Sequence, residues 1–187
     1  MSAKKNTPDS DQIINKAISL GASLAGIANV ALLKQSPSHD IYAKITPNQG
    51  IGSRDFAEGV KPGVINWPRT ATSALVIALA HEATAPEMDW WIEQDGDRES
   101  QGCRALQDIL VNMAEWMERS FNLSSHALPY HLERGGIFLK DSAVLAGLGS
   151  IGKNNLLVTP EYGPRVRVWG LLLDADGGGE TLDVIDM

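Results

Sequence analysis

The chain has 187 residues, of which 43% are hydrophobic and 21% are charged, and this is enough for one domain with its own core. Its net charge of −7 at pH 7 provides no general attraction to nucleic acid or to an anionic membrane. The single cysteine, Cys103, excludes an internal disulfide, a cysteine-ligated zinc site and an iron–sulfur cluster held by this chain alone, and no histidine pair has metal-ligand spacing. No metal site is therefore expected.

The N-terminal residues are polar and lack the apolar segment of a secretory signal. No apolar run approaches the roughly 18 residues that are needed to cross a bilayer. These features predict a soluble, cytoplasmic protein that has no membrane partner.

The first half of the chain contains one clear helix and two clear strands. Residues 9–22 predict a helix that is capped by Asp9 or Ser10 and ends at Gly21. Residues 23–30 predict a short buried strand, and 73–81 form a continuous apolar strand that is covered on both faces. Residues 34–72 predict a long loop region with at most a short helix, which is long enough to border a site.

The second half begins with a connecting region over residues 84–100. A helix is predicted over 102–121, where apolar residues recur at helical spacing. An extended segment (124–131), a second helix (137–147) and two strands around a turn (154–160 and 165–176) follow. Together they predict an α+β domain over residues 1–176, with a mixed sheet and flanking helices, followed by a mobile tail over 177–187.

The sequence GLGSIGKNN, Gly147 to Asn155, matches two phosphate-binding patterns. In the dinucleotide fold and in the phosphate loop, however, the glycines follow a strand and open a helix. Here a predicted helix precedes Gly147 and a predicted strand follows Gly152. Asn154 also stands where a phosphate loop needs Ser or Thr. Two interpretations remain open, a tight helix-to-strand turn and a loop packed against a large flat ligand.

Residues Ala143 to Asp176, AVLAGLGSIGKNNLLVTPEYGPRVRVWGLLLDAD, resemble the signature segment of the epoxyqueuosine reductase family. The opening helix and strand and residues 67–81 are similar to that family more loosely. The resemblance implies a nitroreductase-like α+β fold that binds cobalamin, followed by a ferredoxin-like domain with two four-iron–four-sulfur clusters. In the family, these clusters feed electrons to the cobalt, which reduces the epoxide of a modified tRNA base. Reductive dehalogenases are similar in architecture.

The resemblance implies that the glycine loop lies near the corrin. The cofactor-binding residues are then Gly147, Leu148, Gly149, Ile151, Gly152, Lys153, Asn154 and Asn155. The family's proton donor is an Asp, and at the matching position, thirteen residues before Ala146, this chain has Glu133. A carboxylic acid can donate a proton if burial raises its pKa. Asp141 is the second catalytic candidate. The alternatives are an exposed loop carboxylate for Glu133 and a solvated helix face for Asp141.

After Asp176 the sequence has eleven further residues and no cysteine. We therefore expect electrons to come from an external ferredoxin-type donor. Binding of tRNA by this chain alone is not expected because of its acidic charge, and an exposed sheet edge suggests a homodimer. Three functions remain open at this point: a corrinoid-binding domain that is redox-active with an external donor, a non-catalytic partner- or cofactor-binding protein, and a flavin-binding oxidoreductase.

Overall fold

A computed structural model describes residues 8–44, 56–81, 83–94 and 97–174. The predicted tail over 177–187 lies outside the described residues. The helices are α1 (Ser10–Ser19), α2 (Val30–Leu33), α3 (Pro37–Tyr42), α4 (Gln101–Phe121) and α5 (Leu139–Leu145). The strands are β1 (Leu24–Asn29), β2 (Ala71–Ala80), β3 (Trp91–Gln94), β4 (Asp97–Ser100), β5 (Ser125–Ala127), β6 (Ser150–Ile151), β7 (Leu157–Val158) and β8 (Val166–Asp174).

The main sheet has four strands in the order β1-β2-β8-β5. Each neighbouring pair in this sheet is antiparallel. The expected mixed sheet is therefore corrected to an antiparallel one, within an α+β architecture. Helices cover both faces of the central strands, so β2 and β8 contain the apolar runs 74–80 and 168–173, and such runs do not reveal strand direction.

Two hydrophobic cores lie on opposite faces of this sheet. Helices α1 and α4 pack on one face, where the core includes Ile13, Leu75 and Met113. Helices α2 and α5 pack on the other face, against a core that includes Val76 and Leu172. Alternate residues of β2 thus enter different cores, as the two-residue period of a strand requires.

Local signals define several element ends as predicted. Asp9, not Ser10, caps α1, and its carboxylate and the Gln12 side chain form a reciprocal capping box. Gly21 follows the helix with a φ of 110°. The predicted connecting region instead contains a 3-10 turn, Pro86–Asp89, and the β3-β4 hairpin.

The last two predicted strands are present, but they do not form a hairpin with each other. Strand β7 pairs with β6, whereas β8 pairs with β2 and β5. The sequence did not predict the pairing of β6 with β7, because β6 is only two residues long and carries no alternating pattern. This arrangement places a small hairpin, β6-β7, beside α5.

Candidate functional site

A cavity of about 700 Å³ lies beside the first half of β8. Its volume is in the range of small-molecule and cofactor sites, roughly 300–1,000 Å³. The walls come from α5, the segment before it, the β6-β7 hairpin and the adjoining ends of β2 and β8. The lining residues are Ser38, His81, Tyr130, His131, Leu132, Glu133, Ile137, Phe138, Leu139, Lys140, Asp141, Asn155, Leu156, Leu157, Pro164, Val166, Arg167 and Val168.

The cavity wall has an apolar part and a polar part. Ile137, Leu157 and Val168 are buried, and they extend the core beneath α5 into the cavity. His81, Tyr130, His131, Lys140 and Arg167 supply groups that can donate hydrogen bonds. The site can therefore hold a ligand that presents both an apolar surface and hydrogen-bond acceptors.

Asp141 is 5% exposed, so its alternative interpretation as a solvated helix residue is wrong. Its carboxylate accepts hydrogen bonds from the Ser36 hydroxyl at 2.7 Å, the Ser38 hydroxyl at 2.7 Å and the Ser38 backbone N–H at 3.0 Å. The carboxylate thereby caps the start of α3 from a different part of the chain. These three hydrogen bonds fix the position of the carboxylate.

His39 continues the same buried network. Its Nδ1 lies 2.8 Å from the Ser36 hydroxyl, and its Nε2 accepts the Phe138 backbone N–H at 3.3 Å. Burial lowers the pKa of His39 to about 4, and the charge of Asp141 offsets only part of this shift. At neutral pH the ring is therefore uncharged. Its single proton is on Nδ1, since Nε2 accepts a hydrogen bond, and it points to Ser36.

Glu133 lies on the same cavity wall as Asp141, in the 3-10 turn Leu132–Arg134. It is half-buried, and its backbone carbonyl accepts the Ala57 N–H at 2.8 Å. The structure thus brings both predicted carboxylates to one cavity. Among the described residues, no donors hold the Glu133 carboxylate as they hold that of Asp141, and a catalytic role for either residue stays a prediction.

The start of the glycine loop is the C-terminal cap of α5. The Leu148 N–H bonds to the Ala143 carbonyl and the Gly147 N–H to the Val144 carbonyl, at 2.9 and 3.0 Å. Gly147 has a φ of 75°, and together these features form a Schellman motif. The loop begins as the helix-to-strand turn that was one of the two open interpretations.

The rest of the loop builds the β6-β7 hairpin. A Cβ on Gly149 would lie 2.3 Å from the Val158 carbonyl oxygen, so this position needs glycine for close packing. Leu148 is buried, whereas Ile151, Lys153 and Asn154 are exposed. Of the predicted cofactor residues, only Asn155 lines the cavity. Contact between any of the eight and a cofactor stays a prediction.

Arg167 and His81 were not among the predicted site residues, and a single carboxylate joins them. Asp89 lies 2.6 Å from Arg167 Nη2 and 3.3 Å from His81 Nδ1. The hydrogen bond from Arg167 lowers the pKa of Asp89, which keeps the pair charged. In the sequence, Arg165 and Arg167 alternate along one strand and share a face, which left two alternatives, a site for an anionic group such as a tRNA phosphate and a solvated sheet face. The one signal for His81 was its position at the end of a continuous apolar strand.

Tyr130 is a third cavity residue that the sequence did not single out. Its ring packs on Trp169 at 5.3 Å and on His131 at 5.2 Å, in edge-on geometries. Burial raises the pKa of its phenol above the ordinary value. The hydroxyl therefore stays protonated at neutral pH and can donate a hydrogen bond into the cavity.

Metal-ligating side chains and membrane-spanning helices can be assessed in the described part of the chain. Within it, no group of three or more His, Cys, Asp or Glu side chains is arranged to hold a metal ion. None of its helices is both long and apolar enough to cross a membrane. His126, the other histidine near this region, is paired with Asp174 at 2.6 Å.

Comparison with protein-family models finds no match, and comparison with curated protein sequences finds none either. Solved structures do match. Epoxyqueuosine reductase from Streptococcus thermophilus is 19% identical over 92% of this chain and 47% of its own, with a TM-score of 0.57. The Bacillus subtilis enzyme, with its catalytic loop swung out of the active site, is 18% identical over 95% and 48%, with a TM-score of 0.54.

A reductive dehalogenase, whose structure suggests a mechanism for B12-dependent dehalogenation, is also similar. It is 18% identical over 98% of this chain and 24% of its own, with a TM-score of 0.56. The chain thus spans about half the length of the epoxyqueuosine reductases it matches and about a quarter of the dehalogenase. The resemblance predicted from residues 143–176 is confirmed at the level of the fold, which this chain shares with epoxyqueuosine reductases and reductive dehalogenases.

Proposed function

We propose that this chain is a corrinoid-binding, reductase-like domain of the epoxyqueuosine reductase type and that the corrinoid occupies the cavity beside β8. The observation that carries the proposal is this cavity of about 700 Å³. It lies in a fold that the chain shares with an epoxyqueuosine reductase and with a reductive dehalogenase for which a B12-dependent mechanism is suggested. The nitroreductase-like classification of the fold is part of the same proposal.

The cavity residues fit such a ligand. A corrin offers a broad apolar ring and peripheral amides, and the wall offers apolar side chains beside donors such as Lys140 and Asn155. The Lys140 ammonium is held in place by a 2.6 Å hydrogen bond to the Asn155 carbonyl. A bound corrinoid supplies a cobalt centre that can be reduced and can transfer electrons to a substrate. The protein's own contribution is to bind the ligand, exclude water and hold a proton nearby.

Glu133 is the side chain that we propose holds that proton. It lies on the cavity wall and is not fixed by three donors as Asp141 is. Electrons come from a ferredoxin-type partner in this proposal, because a single cysteine cannot hold an iron–sulfur cluster. The substrate class and any role of tRNA belong to that complete assembly.

The test is a titration of the purified chain with cob(II)alamin, followed by visible absorbance and by electron paramagnetic resonance. We expect saturable binding, seen as a change in the visible spectrum and in the paramagnetic resonance signal of cob(II)alamin. Absence of saturable binding would overturn the proposal. A flavin spectrum in the purified protein would instead support the flavin-binding alternative.

Two variants locate the binding site. Val166 lines the cavity, and Val166→Trp fills part of it. Val64 is 47% exposed and is not a cavity residue, so Val64→Trp is the matched control. We expect V166W to weaken cobalamin binding at least tenfold and V64W to leave it unchanged, with both variants keeping the wild-type circular dichroism. Equal affinities in the two variants would place the corrinoid elsewhere.

A further inference from the structure

The polar end of the cavity carries two cationic side chains, although the chain as a whole is acidic. Arg167 and Lys140 line it, and His81 and His131 lie beside them. Of the two carboxylates on the wall, that of Asp141 already accepts three hydrogen bonds. The charged side chains left for a ligand to contact are therefore Arg167, Lys140 and Glu133, and an anionic group on the ligand is favoured where it meets the two cations.

The Arg167 guanidinium has unused hydrogen-bonding capacity. Of its five N–H donors, one bonds to Asp89 at 2.6 Å and one makes a weak contact of 3.6 Å with the Cys103 sulfur. Its Nε is buried beside Gly102 and is not available to a ligand, which leaves one free N–H on each of the two terminal nitrogens. A planar guanidinium with free N–H groups is suited to a carboxylate or a phosphate, which it can bind through two parallel hydrogen bonds.

Arg167 is also held in position. Asp89 does not line the cavity, and it holds Arg167 and His81 together. The Tyr130 phenol interacts electrostatically with Arg167, and its ring is fixed by Trp169. The Trp169 indole N–H is anchored in turn by a 2.6 Å hydrogen bond to the Leu128 carbonyl. Such an arrangement needs little ordering when a ligand binds.

We propose that this polar end is an oxyanion site, in which Arg167 and Tyr130 bind the carboxylate or phosphate of an organic ligand. The body of the ligand lies against the apolar wall at Val166 and Val168. The proposal deepens the proposed function, because it names the ligand chemistry of the same cavity, but its test does not require cobalamin. The oxyanion has two sources: the substrate, and the phosphate of the corrinoid's own nucleotide loop.

The first experiment measures the binding of benzoate, phenyl phosphate and the uncharged benzamide to the cobalamin-free chain by calorimetry and by amide chemical shifts. We expect both anions to bind at least about tenfold more tightly than benzamide, as a charge-assisted hydrogen bond allows. We also expect the shifts to centre on Arg167 and Tyr130. Equal binding of benzamide and benzoate would overturn the proposal.

The chain offers a matched pair of arginines for the second experiment. Arg165 is exposed, lies two residues before Arg167 and does not line the cavity. Arg167→Gln should weaken benzoate binding about tenfold or more, and Arg165→Gln should change it less than twofold. Similar losses in both variants would contradict the site. Tyr130→Phe provides a second test if R167Q does not fold, with an expected loss of about threefold to tenfold for one neutral hydrogen bond.

Adding cobalamin separates the two sources of the oxyanion. If benzoate and cobalamin bind at the same time, the site serves the substrate. If they compete, and R167Q also weakens cobalamin binding, the site serves the corrinoid phosphate. If the anions bind but cobalamin does not, the oxyanion site stands and only the proposed function fails.

Discussion

The Asp141 carboxylate accepts a 2.7 Å hydrogen bond from the hydroxyl of Ser36, a residue 105 positions earlier in the chain. Through this bond and two from Ser38, α5 is tied to α3. Phe138, just before α5, donates its backbone N–H to His39 of α3. Ser38 and Asp141, which both line the cavity, therefore belong to a buried connection between two short helices.

We expect Asp141→Asn to lower the free energy of unfolding by roughly 2–4 kcal/mol, because an amide cannot accept all three hydrogen bonds and leaves buried donors unpaired. Glu133→Gln is the matched variant on the same cavity wall, and it should change stability by less than about 0.5 kcal/mol. Urea unfolding measures both. Equal losses in the two variants would contradict the different roles assigned to the two carboxylates.

The stability of the protein should fall as the pH decreases from about 6.5 to about 4. In the unfolded chain His39 has its ordinary pKa of 6.5, and burial lowers the pKa to about 4 in the folded state. Between these values the unfolded chain binds the extra proton, so acid favours unfolding, and stability returns as the pH rises through this window. The full effect is about 3 kcal/mol.

His39→Asn tests this pH effect. An asparagine amide can still donate to Ser36 but does not titrate, so the variant should lose most of the pH dependence between 4 and 6.5. Urea unfolding of both proteins at several pH values in this window provides the comparison. An unchanged slope in the variant would assign the effect to other groups.

Gly149, in the glycine loop, and Gly163, in the turn before β8, should respond differently to substitution by alanine. Gly163→Ala places a side chain in open space at a φ of 57°, and this should cost roughly 1–2 kcal/mol for the left-handed conformation alone. Gly149→Ala would place its Cβ 2.3 Å from the Val158 carbonyl oxygen, so the backbone must shift and the loss should be larger. Thermal unfolding ranks the two variants, and the reverse order would contradict the packing described for the β6-β7 hairpin.

Variants of Asn155 and Lys153 test which of two guides predicts the cofactor contacts, the cavity lining or the sequence resemblance. The resemblance assigns both residues to the cofactor, but of the two only Asn155 lines the cavity. Its φ of 60° suits glycine, so Asn155→Gly removes the amide without backbone strain. Cobalamin titration should show an affinity about threefold to tenfold lower for N155G and no change for Lys153→Ala. A loss with K153A would support the assignment from the resemblance.

Much of the fold could be predicted from local patterns. The apolar run at 73–81 and the helical spacing at 102–121 correspond to β2 and α4 within one or two residues. These elements could be predicted because each carries its own periodicity or cap. The hairpin β3-β4 and the antiparallel order of the sheet could not, because strand pairing depends on residues that are distant in the chain.

The sequence by itself excluded an internal disulfide and an iron–sulfur cluster held by this chain alone. It also determined the main helices and strands and the resemblance carried by residues 143–176. One cysteine excludes a cluster whatever the fold, and the spacing of apolar residues reports a local conformation. Only the tertiary structure decided that Asp141 is buried and accepts hydrogen bonds from Ser36 and Ser38. Only it showed that Arg167 and His81 both pair with the Asp89 carboxylate. The physical reason is that burial and hydrogen bonding at the cavity depend on contacts between residues separated by up to 105 positions, which no local pattern records.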